Sequence, residues 1–254
     1  MLYVDTHCHL QTSRFDADRE AVLERALERL AWLVVVGDNL EHSRAACAMT
    51  NSRVYAAVGC HPYHAAFFDD QAESALRELA GQPGVLALGE TGLDYFNEFC
   101  PRHLQRSAFE RQLAAAAELE LPVVIHCRDA EQDLLDILGN HGKRPAACIM
   151  HCFVGDSAFA ARCLELDCHI SFAGNLTYPK ADSLRAAARI VPDNRLLVET
   201  DAPYLAPQAV RGKRCEPWHV IHTVGALAAL RDTEPEALAA QIHENAVAAF
   251  NLAN

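Results

Sequence analysis

Leu2-Tyr3-Val4-Asp5-Thr6-His7-Cys8-His9 is an apolar, β-prone run that ends on two histidines one residue apart. Side chains alternate faces along a strand, so His7 and His9 leave one face together at the strand's end. Histidine is the commonest metal ligand, and two imidazoles placed this way make half of a metal site. An isolated His-x-His is more often a pair of ordinary histidines, so the rest of the chain has to decide.

The same design recurs along the sequence. Apolar, β-rich runs fall at residues 2–5, 33–37, 55–58, 85–89, 123–126, 148–151, 169–172 and 196–199. Helical periodicity fills the intervals at 18–30, 103–120, 130–139, 157–166, 181–190, 220–230 and 234–250, with weaker helices near 41–50 and 71–80. Asp156 and Pro235 read as helix-start residues. Strand and helix alternating eight times predicts an α/β fold of the (β/α)8 TIM-barrel type, with a doubly wound open sheet as the competitor. Barrels carry their catalytic groups at the C-terminal strand ends. His9, His61, Glu90, His126, His151 and Asp201 stand at or just past six such ends, which favours the barrel. Nothing divides residues 1–254, so a single domain is expected; the longest irregular stretch, 203–218, is a candidate active-site loop.

Composition narrows the function. Hydrophobic residues make up 51% and charged residues 22% of the 254, as in a folded domain. The net charge of −12 disfavours a broad basic groove along duplex nucleic acid, but not a local site where metal ions supply positive charge. No run approaches membrane-spanning length, and the N-terminus lacks the basic and apolar regions of a signal peptide, so a cytoplasmic protein is expected. The ten cysteines form no Cys-x-x-Cys pair and read as reduced thiols. Cys8, Cys127 and Cys152 each follow a candidate ligand and are expected to face the helix layer as small hydrophobes, with thiolate ligation the lesser alternative.

The ligand candidates are His7, His9, Glu90, His126, His151 and Asp201. Six are too many for one tetrahedral ion and suit two divalent cations about 3.5–4 Å apart. Glu90 is the candidate bridge; His7, His9 and Asp201 would hold one ion, His126 and His151 the other. Mixed nitrogen and oxygen donors suit zinc or manganese, with magnesium open through the carboxylates. Such ions turn water into hydroxide near neutral pH, and Asp201 can accept its proton, which makes Glu90 and Asp201 the catalytic candidates. Asp94 is expected to orient a ligand histidine, and Glu199 to act behind the site, as an extra ligand or as a buried paired carboxylate. For substrate, His61 stands at the rim or is a plain loop histidine. Arg128 clamps a phosphate or pairs with Asp129 or a neighbouring helix. Tyr95 stacks on a base or packs. Arg211, Lys213 and Arg214 form the one dense basic cluster, read as phosphate contacts or as bracing through Glu216. His42, His64, His103, His141, His169, His219, His222 and His243 fall away from the inferred ring.

Taken together, His7-Cys8-His9, Gly59-Cys60-His61-Pro62, Gly89-Glu90-Thr91-Gly92-Leu93-Asp94-Tyr95 and His126-Cys127-Arg128-Asp129-Ala130 resemble the TatD family of metal-dependent deoxyribonucleases. So do Met150-His151-Cys152-Phe153, Ser171-Phe172-Ala173-Gly174-Asn175, the run from Glu199 to Pro207 and Arg211-Gly212-Lys213-Arg214-Cys215-Glu216-Pro217. The resemblance spans nearly the whole chain in order. It implies an amidohydrolase-like TIM barrel of the metal-dependent hydrolase type, the same six metal ligands, and 3′-to-5′ exonuclease action on DNA. Thr91, Cys60 and Cys127 depart from the family's usual residues without touching the ligands. Single-stranded or frayed DNA is the expected substrate; no membrane and no obligate protein partner are expected. The alternatives are an amidohydrolase-type hydrolase of a lactone, amide or phosphoester, and a metal-binding scaffold without activity.

Overall fold

Strands covered on both faces read as continuous apolar runs rather than as an alternation, and Leu30-Ala31-Trp32-Leu33-Val34-Val35-Val36 is such a run. A computed structural model describes residues 3–252; Leu2, assigned to the first strand by the sequence, lies outside them. Eight strands are present: β1 (Tyr3–Cys8), β2 (Leu30–Val36), β3 (Val54–Val58), β4 (Val85–Asp94), β5 (Val123–Arg128), β6 (Cys148–Met150), β7 (Cys168–Phe172) and β8 (Leu196–Val198). They pair in sequence order, every pair parallel. Each strand is followed by a helix: α1 (Arg19–Leu27), α2 (Leu40–Ala48), α3 (Asp70–Ala80), α4 (Arg102–Leu119), α5 (Glu131–Asn140), α6 (Ser157–Glu165), α7 (Asp182–Ile190) and α8 (Val220–Leu230). A further helix, α9 (Pro235–Ala249), packs against β1 and β8. Asp156 caps α6 by accepting the Phe159 N–H at 2.9 Å, and Pro235 opens α9, as their sequence positions predict.

The barrel closes at its ligand-bearing end. Between β8 and β1 a single parallel bridge joins Cys8 to Ala202. The Asp201 N–H donates to the His7 carbonyl at 2.9 Å, and the His9 N–H to the Ala202 carbonyl at 2.7 Å. Below them the buried Asp5 carboxylate accepts the Thr200 N–H at 2.8 Å and its hydroxyl at 2.5 Å. The seam therefore fixes His7 of β1 and His9 just past it against Asp201, which follows β8. No sequence motif marked Asp5 for this role.

β4 differs most from the sequence reading. Its apolar pattern stops at Gly89, yet the strand continues to Asp94. Glycines that look like loop punctuation let the strand run hard against β5. Gly92 sits at φ +138, and a Cβ there would lie 2.0 Å from the His126 carbonyl oxygen. Across the strand pair, Gly59 faces Gly89 so closely that a Cβ would meet the Gly89 carbonyl carbon at 2.4 Å. Both approaches set the height of Glu90 in the mouth of the barrel. Residues 203–218 are irregular as expected, apart from short 3-10 turns at Gln208–Val210 and Pro217–His219. All ten cysteines are free thiols, and the Cys8 thiol donates outward to the Val34 carbonyl at 3.3 Å.

Candidate metal centre

Glu90 stands at the middle of the mouth, with its backbone N–H bonded to the Gly37 carbonyl at 3.0 Å. Its two carboxylate oxygens face different neighbours. Oε1 lies 2.9 Å from His151 Nε2, 3.0 Å from His126 Nδ1 and 3.4 Å from His61 Nε2. Oε2 lies 3.5 Å from His7 Nε2 and 3.6 Å from His9 Nε2. Asp201 Oδ1 completes the second side, 3.4 Å from His9 Nε2 and 3.9 Å from His7 Nε2.

The donor set fits divalent cations. His7 Nε2 and His9 Nε2 approach to 3.1 Å, a separation that suits two nitrogens each about 2.0–2.1 Å from a shared ion. The Val36 carbonyl, 2.8 Å from His9 Nδ1, fixes the proton there and leaves Nε2 free to coordinate. Three groups can hold an ion among the described residues: His7, His9 and Asp201; His7, Glu90 and His151; His61, Glu90 and His126. None contains a cysteine.

Two carboxylates brace the imidazoles from behind. Asp94 Oδ2 meets His126 Nε2 at 3.1 Å, and Glu199 Oε1 meets His151 Nδ1 at 3.0 Å. Glu199 also accepts the Cys152 N–H at 2.8 Å, while its Oε2 is buried with no hydrogen-bond partner. A cation held on His151 would place positive charge beside this buried oxygen. Glu199→Gln is expected to weaken metal binding ten- to a hundredfold, about what such supporting carboxylates contribute. Titration calorimetry with the metal, beside a circular dichroism spectrum of the same sample, reads that loss.

Burial and neighbouring charge divide the histidines. Burial lowers His7, assisted by the charge of His151, and holds His61 well below the ordinary value. Burial also opposes charge on His9, but Asp201 outweighs it and pushes the group up to about 9. His151 is raised well above its ordinary value because Glu90 and Glu199 overcome its desolvation. Against its own burial, Glu90 is held well below the usual carboxylate range by His151, His61 and His126. Without an ion, the cluster therefore holds its negative charge partly with protons.

The other site candidates spread out. His61 is buried in the cluster rather than standing at the rim. The Tyr95 hydroxyl donates to Asp133 at 2.7 Å while Arg102 covers its ring, which is a packing position. Arg128 does not pair with Asp129; its guanidinium lies 3.8 Å over the ring of Phe96. Arg211 stacks on Tyr178 at 4.1 Å, and Lys213 is exposed. Arg214 turns away to brace α1, holding both oxygens of Asp18 at 2.8 and 2.6 Å, and meets Glu216 only at 3.9 Å. One residue without a sequence signal joins the site: the Tyr63 hydroxyl donates to Asp94 Oδ2 at 3.0 Å.

Residues 4–251 match the family model described as TatD related DNase. The chain belongs to the TatD family. Among its TatD relatives is YabD of Bacillus subtilis, an uncharacterized metal-dependent hydrolase, 37% identical over 251 residues and covered to 98% in both chains. A protein of Musicola paradisiaca named 3′-5′ ssDNA/RNA exonuclease TatD is 35% identical over 257 residues, with 98% of this chain and 97% of that one covered. The crystal structure of YJJV, a TatD homolog from Escherichia coli K12, matches with a TM-score of 0.92 at 29% identity over 99% of both chains. The protein is thus a TatD-family metal-dependent hydrolase on a TIM barrel, with histidine and carboxylate groups able to bind metal. No helix among the described residues is long and apolar enough to cross a membrane.

Proposed function

We propose that this TatD protein hydrolyses DNA phosphodiester bonds, removing nucleotides 3′ to 5′ from single-stranded or frayed ends, at a centre of two divalent cations. The observation that carries the reading is the two-sided carboxylate of Glu90, with His61, His126 and His151 around one oxygen and His7 and His9 around the other. His7, His9 and Asp201 would hold one ion and His126 and His151 the other, with Glu90 between them; zinc, manganese and magnesium are the candidate metals. Cations held there acidify water and stabilise charge on attacking and leaving oxygens. Asp201, its side chain 15% exposed at the lip of the cluster, is the group placed to take a water's proton. His61, 3.4 Å from Glu90 Oε1, can serve an ion or a bound phosphate. Asp94 and Glu199 keep His126 and His151 from rotating. The substrate class follows the TatD relatives named as exonucleases.

The test is a time course on 5′-labelled single-stranded DNA with Mg²⁺, Mn²⁺ or Zn²⁺ and with chelator. A descending ladder that requires metal is the expected result. Immediate short internal products would mean endonuclease cutting instead. Intact DNA in every metal, from protein that turns over a small ester or lactone, would overturn the nuclease reading.

A further inference from the structure

Among the described residues, seven large apolar side chains remain exposed, and five of them, Phe67, Phe96, Phe99, Val154 and Tyr204, follow C-terminal strand ends. Exposed apolar groups gathered on the functional face of a barrel call for an explanation, whereas scattered ones do not. Two of the five stand beside opposite ends of the candidate metal cluster.

Tyr204 is 46% exposed. Its N–H donates to the Asp201 carbonyl at 2.8 Å, and its ring stands edge-on to His9 with centroids 6.2 Å apart. The Arg14 guanidinium lies 5.2 Å over the same ring. Phe96 is 58% exposed. Its N–H donates at 3.1 Å to Asp94, the carboxylate that braces His126, and Arg128, two residues beyond His126, lies 3.8 Å over its ring. Each ring is therefore anchored to the backbone or carboxylate of the cluster, open to solvent, and paired with a cation.

We infer that Phe96 with Arg128, and Tyr204 with Arg14, are two base-stacking stations on either side of the cleaved phosphate, and that they set the preference for unpaired nucleic acid. This rests on the nuclease reading proposed above. A base offers a flat π-face to any aromatic ring, and the guanidinium behind the ring answers the adjoining phosphate. Bases locked in a duplex cannot present that face. The chain's net charge of −12 leaves little for long duplex contacts, so binding must come from a few local stations. A protein partner would want a contiguous apolar patch; here the two rings are separated by buried, hydrophilic ligands.

The experiment compares metal-loaded wild type, Phe96→Ala, Tyr204→Ala, the double variant, and Phe96→Trp with Tyr204→Trp. The substrates are a single-stranded oligodeoxythymidylate and an abasic oligonucleotide of equal length. Wild type is expected to favour the thymidylate through KM. Each alanine should raise KM for the thymidylate about five- to a hundredfold, the loss of one stacked base, with kcat moving far less. The double variant should no longer distinguish the two substrates, and the tryptophans should restore the distinction. A preference for the thymidylate that survives in the double variant overturns the stations. So does wild type cleaving both substrates equally, and in both cases the nuclease reading stands. Wild type that cleaves neither would remove that reading and the stations with it.

Discussion

Replacing Glu90 by glutamine is expected to lower metal-dependent turnover by roughly a thousandfold, about 4 kcal/mol of transition-state stabilisation. The amide keeps the shape of the side chain but loses the charge, and one of its two ends becomes a donor that faces imidazole nitrogens meant for a cation. Because Oε1 and Oε2 look at separate groups of histidines, either orientation of the amide spoils one side. The barrel itself should survive, since the seam at β8 and β1 and the parallel pairing do not pass through this side chain. Turnover on labelled single-stranded DNA, with far-ultraviolet circular dichroism on the same preparation, measures both parts. A loss smaller than tenfold in a folded variant would show that Glu90 does not organise the centre.

The second large effect is a competition between protons and metal. His9 is pushed up to about 9, and His151 is also raised, in the protein without ions. A raised folded value contributes stability that is complete below the unfolded value, about 6.5, and is lost as pH rises through the folded value. The metal-free protein should therefore lose thermal stability between about pH 6.5 and 9, with the neighbouring charge at Asp201, Glu90 and Glu199 left unbalanced. Metal binding has the opposite sign. Only neutral imidazole coordinates, so affinity should climb across the same window and binding should release protons. The stabilisation by metal, read as the difference in Tm with and without it, should widen as pH rises. Calorimetry in buffers of different ionisation enthalpy would count the protons, with one or two per chain expected near pH 7. An affinity flat across this range would mean that these histidines are not ligands.

The clustering of the candidate ligands was legible because a barrel puts every strand's last residue on one face, so a histidine or carboxylate after an apolar run carries its own location. Asp94 and Glu199 were legible for a related reason, being conspicuous carboxylates close in sequence to candidate ligands. What sequence could not place was anything decided across the barrel. Arg214 reads as part of a basic cluster, but Asp18, far away in sequence, claims it. Asp5 looks like an ordinary strand-end acid, and only closure of the sheet brings Thr200 to it. Tyr95 and Phe96 are neighbours at the end of β4, and chain direction there sends the tyrosine into packing against Asp133 and leaves the phenylalanine in solvent. His61 looked like a rim residue because it follows a Gly-Cys pair past its strand; the turn folds it inward, where burial keeps it neutral beside Glu90. The glycines of β4 have the look of turn residues, yet their lack of a side chain permits a close strand approach instead.

In the proposed centre, two cations share Glu90. Anomalous diffraction from crystals of the wild-type protein soaked in Mn²⁺ or Zn²⁺ tests it most directly. Two peaks are expected, one against His7, His9 and Asp201 and the other against His126 and His151, with a Glu90 oxygen on each. A single peak, or metal held away from these side chains, would contradict it.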